Sequence, residues 1–209
     1  DEHSTIVNEE SPLADDTCTK YDNSKALGEL EVQKGVEKGL DACILNPTGI
    51  IGPYDFWGSH SGNMLLDLFN GTMPALVKGG FDWVGVRDVA KAAIQALKKG
   101  KKGDKYLIGG HWAMAKDLAN LAHQVSEKKP PRIVFPIWAA MLGLPFVNLL
   151  GKLTNKPPMY TYEALKVLKH ASKNMSFEKA RKELGYEARP LEETIRDAYE
   201  WYKAEGKIT

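Results

Sequence analysis

The sequence predicts an α/β fold in which short, buried strands alternate with helices, followed by a helix-rich C-terminal part. Three observations carry this. Residues 21–53 read as a helix, a short apolar strand and a Gly/Pro-punctuated loop. Residues 81–109 read as strand, helix and strand again. From Tyr162 onward the patterning is that of successive helices.

Taken in order, residues 1–16 are polar and acidic and read as a loop. A helix is expected from about Tyr21 to Lys38, with Ala26, Leu27, Leu30 and Val36 on its apolar stripe and Gly39 as its stop. Leu40–Leu45 reads as a buried strand, being mostly apolar, short and bounded by Gly39 and Pro47. Asn46-Pro-Thr-Gly-Ile-Ile-Gly-Pro53 then forms a loop at the carboxyl end of that strand, the place where open α/β sheets bind ligands. Tyr54, Phe56 and Trp57 come next. They are candidates to line a substrate pocket, with core packing as the alternative for Phe56 and Trp57.

A helix at 63–69 ends at Asn70 and Gly71. Residues 81–86 form a strand, and Arg87 to about Lys98 a helix with Val89, Ala92, Ala93, Ala96 and Leu97 inward. Lys105–Gly109 is a strand with Gly110, His111 and Trp112 as its exit loop, and Met114–Glu127 a helix. Residues 133–151 carry no charge. Such a run of nineteen is about as long as a bilayer span. Pro136, Gly143, Pro145 and Asn148 interrupt it, so it reads as a short strand ending at Pro136 and a buried helix from about Ile137. A pocket wall or a membrane surface stays open for part of it. Helices at 162–169, 177–184 and 191–205 finish the chain, the last with Leu191, Ile195, Ala198 and Tyr202 facing the core.

Composition bounds the function. Of 209 residues 43% are hydrophobic and 26% charged, which is ordinary for a globular protein. A net charge of +1 supplies no field to attract nucleic acid. The basic cluster at 98–105 reads as a solvated turn. Cys18 and Cys43 have no metal-like spacing, which suits a reduced, cytoplasmic setting rather than a disulfide framework. The histidines at 3, 60, 111, 123 and 170 are scattered, so no metal is expected. His111, near a strand end, is a pocket candidate set against the commoner structural role of a lone histidine.

The chemistry-bearing pair is Tyr21 and Lys25. Four residues apart on a helix, they share one face. An unperturbed phenol titrates near about 10, and an adjacent ammonium favours its ionised form. Such a phenol can pass a proton to or from a substrate oxygen. Tyr162/Lys166 and Tyr199/Lys203 repeat the spacing but lead into no strand and Gly/Pro loop. Both are expected to be structural.

The helix bearing Tyr21-x-x-x-Lys25, the strand and the Asn-Pro-Thr-Gly-Ile-Ile-Gly-Pro loop resemble the extended short-chain dehydrogenase/reductase family, and within it the NAD-dependent epimerase/dehydratase and dihydroflavonol-4-reductase-like enzymes. Asp82-Trp-Val-Gly-Val-Arg-Asp-Val-Ala90 and Glu183-Leu-Gly-Tyr-Glu-Ala-Arg-Pro190 fit the same pattern. The resemblance implies the later part of a Rossmann-type sheet with a smaller substrate lobe. Residues 1–53 would hold the catalytic helix, strand and nicotinamide-side loop, and 54–209 mainly the substrate lobe, with sheet elements returning near 81–110.

The resemblance further implies NAD or NADP as cofactor, Tyr21 as general acid or base, and Lys25 on the nicotinamide ribose. The backbone of Pro47, Thr48, Gly49 and Ile50 would face the carboxamide. No strand, Gly-x-x-Gly-x-x-Gly and helix unit for the pyrophosphate occurs in the sequence. The expectation is therefore a C-terminal part, with the family's catalytic Ser or Thr upstream of residue 1 and the 209 residues inactive alone. In the family a histidine often stands where this chain has Gly85. The expected reaction is hydride transfer at a hydroxyl or carbonyl carbon of a small molecule, by a carbonyl reductase or dehydrogenase. The alternatives are a non-catalytic dinucleotide sensor and a membrane-associated, sterol-dehydrogenase-like enzyme. A small-molecule substrate is the expected partner, with no nucleic acid and no membrane, and a homodimer left open.

Overall fold

The computed structural model describes residues 6–15, 18–154 and 160–208. Its first helix, α1 (Lys20–Glu37), starts where its chemistry requires. Thr19 is the N-cap: Asp22 N–H donates to its hydroxyl at 3.1 Å, and its own N–H donates to the Asp22 carboxylate at 3.4 Å. The helix ends at Lys38 and Gly39, the latter at φ 108°. Leu40 N–H folds back to the Gly35 carbonyl at 2.9 Å. That bond draws Leu40 into the helix terminus, so strand β1 begins later than expected, at Ile44, and runs to Pro47.

The expected loop is partly strand. Gly49–Ile51 forms β2, which pairs in parallel with β4 (Gly80–Gly85). Glycine at 49 makes this possible, since a Cβ there would stand 2.8 Å from the Phe81 ring and 3.0 Å from that of Trp83. Helix α2 (His60–Asn70) lies between, capped by Ser59 and closed by Gly71 at φ 66°. Strand β3 (Leu76–Val77) follows, then β4, helix α3 (Val86–Lys99) and β5 (Lys105–Ile108). β1 pairs in parallel with β5, Ile44 opposite Lys105 and Pro47 opposite Ile108.

The exit loop expected at 110–112 is also strand. His111–Met114 is β6, antiparallel to β4. It can lie close because Gly110 has no side chain: a Cβ would stand 1.9 Å from the Trp83 carbonyl. Helix α4 (Ala115–Ser126), strand β7 (Val134–Phe135, parallel to β3) and helices α5 (Ile137–Thr154) and α6 (Tyr162–His170) follow. The helix expected at 177–184 has a π-helical turn at Ala180–Leu184, closed by Gly185 at φ 71°. Helix α7 (Leu191–Ala204) ends the described chain, with Leu191, Ile195, Ala198 and Tyr202 all buried.

Three clusters form the core. α2, α4 and α7 pack Leu65, Phe69, Leu118, Ala122, Ile195 and Tyr202 together. α3, β5 and the π-turn enclose Val84, Ala92, Tyr106, Ile108 and Leu184. α5 and α6 close on Val77 through Leu144 and Leu165. Several expected core residues lie outside these. On α1 only Ala26 is buried, while Leu27 and Leu30 are exposed. On α3, Ala93 and Leu97 are exposed. Phe56 and Trp57 are exposed too, so the core alternative fails for both. α1 is held to the strands by polar contacts instead. Glu29 accepts from Lys105 Nζ at 2.9 Å and from Asn46 Nδ2 at 3.1 Å, and Gln33 Nε2 donates to the Gly103 carbonyl at 3.0 Å.

Candidate active site

α1 carries Tyr21 and Lys25 along the side of a groove of about 600 Å³. Pro47 and Ile50 bound it at the carboxyl end of β1, and Glu9, Glu29 and Lys105 farther along. Both side chains are solvent-exposed. Lys25 Nζ stands over the Tyr21 ring, 5.3 Å from its centroid. Ser24 donates its hydroxyl to the Tyr21 carbonyl at 2.7 Å. The Glu29 carboxylate, one turn beyond Lys25, fixes the helix to β1 and β5. The N-terminal segment closes the far wall: Glu9 accepts the Leu107 N–H at 2.9 Å, covering a backbone donor of β5.

A second hollow, of about 680 Å³, opens on the other side of Tyr21. Thr48, Gly49, Ile50, Tyr54, Asp55 and Ser61 line it. The stretch 47–50 offers less free backbone here than a loop would. Thr48 N–H donates to the Ile108 carbonyl at 3.1 Å, and the Ile50 carbonyl accepts from Ser61 Oγ at 2.9 Å. Thr48 Oγ1 donates to Asp82 at 2.7 Å, and the same carboxylate oxygen accepts from Gly110 N–H at 2.8 Å. Buried Asp82 thereby ties the β1–β2 junction, β4 and the turn before β6 together.

The remaining candidates separate. Tyr54, at φ 70°, lines the second hollow, and Arg87 Nη2 donates to its hydroxyl at 3.4 Å. The Phe56 ring meets Trp201 edge-on at 5.3 Å, and Trp57 is 99% exposed; neither lines the hollow. His111 Nε2 lies 2.9 Å from the Arg189 carbonyl, the contact of an N–H donor joining β6 to the segment before α7. Gly85, where the family often has histidine, has no room for one. A Cβ would stand 2.8 Å from both Asp88 Oδ2 and Thr194 Oγ1.

The reading from sequence passed over an apolar pocket of about 300 Å³ behind the second hollow. Trp83, Leu118, Tyr160 and Leu168 line it, and it shares Gly49, Ser61, Phe81 and Val167 with the hollow beside Tyr21. Burial pushes the Tyr160 phenol up, keeping it neutral at this apolar wall. Burial and the nearby Asp55 carboxylate do the same to Tyr202, whose hydroxyl donates to Asp55 at 3.5 Å. The pocket had no local signal, because its walls come from β2, β4, α4 and α6 together.

The phenol, the ammonium and the groove bounded by Pro47 and Ile50 could hold the ribose and nicotinamide end of a dinucleotide. They hold nothing suited to a pyrophosphate, whose glycine-rich turn is not in the sequence. Among the described residues no group of His, Cys, Asp and Glu could hold a metal ion.

Comparison with known proteins agrees with this architecture. Residues 1–109 match the model of the NAD dependent epimerase/dehydratase family. The chain is 30% identical over 194 residues to a sterol demethylase protein B of Methylococcus capsulatus, covering 91% of this chain and 58% of that one. It is 27% identical over 198 residues to a putative dihydroflavonol 4-reductase of Synechocystis, covering 90% of this chain and 56% of that one. The chain thus spans little more than half the length of these relatives. A dTDP-glucose 4,6-dehydratase of Bacillus anthracis, solved in complex with NAD, shares the fold with a TM-score of 0.69 at 18% identity, over 96% of this chain and 57% of that one. By its matched residues and its Rossmann-type α/β fold, this chain belongs to the NAD dependent epimerase/dehydratase family.

Proposed function

We propose that the protein containing this chain is an NAD(P)-dependent oxidoreductase acting on the hydroxyl or carbonyl carbon of a small molecule with an apolar body. One observation carries the reading: the hollow that exposes Tyr21 is walled in common with a pocket whose lining is mainly apolar, with His60, Ser61 and Tyr160 among its few polar members. A sugar nucleotide would leave its polar groups unpaired there, whereas a hydrocarbon scaffold gains by burial. The relatives named as a sterol demethylase protein and a putative dihydroflavonol reductase support the same choice.

The dinucleotide, when bound, donates or accepts the hydride. The chain supplies position and the proton. Tyr21 Oη donates to the substrate carbonyl oxygen and gives up its proton as the alkoxide forms; in oxidation it takes the proton back. Lys25, beside the ring, stabilises the negative charge left on the phenolic oxygen. The groove along α1 orients the nicotinamide end, and the apolar pocket excludes water from the substrate body. The test incubates the full-length protein and dinucleotide with a flat polycyclic ketone, a flavanone-type ketone or a nucleotide sugar, and reads the products of each by chromatography with mass spectrometry, with net cofactor oxidation followed for the ketones. Turnover of an apolar ketone is expected. Turnover of the nucleotide sugar alone would refute the reading.

A further inference from the structure

Over residues 137–146, helix α5 is apolar on both faces. Ile137, Ala140, Met141 and Leu144 face inward against Val77, Leu165 and Leu168. Trp138, Leu142 and Phe146, at successive i, i+4 positions, face outward and are 67%, 75% and 70% exposed. Ile133, Val134 and Phe135, just before the helix, are exposed as well. Single exposed apolar residues are ordinary, but six in one stretch form a surface that water solvates poorly.

The charge along this stretch of the sequence has one sign. From Lys128 to Tyr162 the sequence carries Lys128, Lys129, Arg132, Lys152 and Lys156 and no acidic residue; Glu127 and Glu163 bound the stretch. Lys128, Lys129 and Arg132 are exposed beside the apolar run. This concentration stands out in a chain whose net charge is only +1. An apolar face rimmed by ammonium and guanidinium groups matches acyl chains beneath anionic headgroups. Among the described residues no helix is long and apolar enough to cross a membrane, so the contact is one that lies on the bilayer.

We propose that the outer face of α5, with residues 133–135, docks on an anionic lipid surface. A hollow of about 400 Å³ beside Pro136, Ile137 and Trp138 shares Gly79, Gly80 and Leu168 with the apolar pocket. Docking would set that hollow against the bilayer and give an apolar substrate a path from lipid to Tyr21. This last step rests on the function proposed above, whereas the docking itself does not.

The test is flotation of the full-length protein, without cofactor or substrate, with vesicles of phosphatidylcholine alone and of phosphatidylcholine with phosphatidylglycerol. The protein is expected to float with the anionic vesicles, and less so as salt rises. The Leu142→Glu/Phe146→Glu and Lys129→Ala/Arg132→Ala variants should each lose roughly tenfold or more in vesicle affinity. Their melting temperatures and their turnover of a water-soluble ketone should match the parent. Absence of flotation, or flotation of the Leu142→Glu/Phe146→Glu variant equal to the parent, would overturn the proposal. So would a dimer that this variant dissociates and that ignores vesicles, since the face would then belong to a second copy. Vesicle binding by a protein that turns over no apolar ketone would leave docking standing and remove only the substrate reading.

Discussion

Lys25 Nζ lies over the face of the Tyr21 ring, 5.3 Å from its centroid, at the edge of a groove open to solvent. The same spacing gives nearly the same contact elsewhere: Lys203 Nζ stands 5.9 Å from the Tyr199 centroid. Local geometry does not single out a site. What distinguishes Tyr21 is the ends of β1 and β2 beside it and the two cavities that meet there.

The other two pairs supply a control. Tyr162 is exposed, and Tyr199 packs edge-on against Phe69 at 5.3 Å. Tyr162→Phe and Tyr199→Phe should shift stability by about 0.5 kcal/mol or less and leave turnover unchanged. Denaturant midpoints and steady-state rates check both. Loss of turnover in either folded variant would move the catalytic role away from Tyr21.

Glu29 joins α1 to two strands through Lys105 and Asn46. Glu29→Ala leaves a half-buried ammonium and an amide without their acceptor and loosens the helix that carries Lys25. A loss of about 1–3 kcal/mol is expected in urea unfolding, with Lys105→Met in the same background recovering part of it. No change in midpoint would show that the clamp contributes nothing.

Gly85→His restores the residue common in the family and should still destabilise this chain. Its Cβ would press on Asp88 Oδ2, which with its partner oxygen accepts from Arg189 N–H at 3.3 Å and Nε at 2.9 Å. The expected cost is about 1–3 kcal/mol, read as a fall in melting temperature. A variant as stable as the parent would mean that Asp88 and Thr194 yield freely.

Alkaline stability follows from buried phenols. Burial, with the Glu183 carboxylate, pushes Tyr106 up to about 12. Burial, with nearby carboxylates, also raises Tyr186 and Tyr202. An unfolded tyrosine titrates near about 10. Above that pH the unfolded chain has released protons the folded chain still holds, so stability falls as pH rises from about 10 to 12. Below about 10 the contribution is complete and constant. Denaturant midpoints across this range should decline, and Tyr106→Phe should shallow the decline.

Much of this was legible in the sequence, for identifiable reasons. Gly39 and Gly71 mark helix ends locally, so α1 and α2 could be located within a few residues, while the Thr19 and Asp22 cap of α1 came to light only in the structure. The stripe of α7 is a property of that helix alone. β2 and β6 were read as loops because each is short and flanked by glycine. They became strands only because β4 lies between them and glycines 49 and 110 let it approach. Leu27 and Leu30 looked inward by periodicity, yet α1 is anchored by Glu29 and Gln33. At the site the register of Tyr21 and Lys25 follows from spacing. The cavities depend on contacts between 46–50, 77–83 and 160–168, which no local pattern encodes.

The central claim is that Tyr21 carries the transferable proton, and Tyr21→Phe in the full-length protein tests it most directly. The variant keeps the ring and the Lys25 contact and removes only the hydroxyl. Turnover of an apolar ketone should fall roughly 10²–10⁴-fold, the size of general acid–base catalysis, with cofactor affinity in calorimetric titration little changed. Turnover equal to that of the parent would contradict the account.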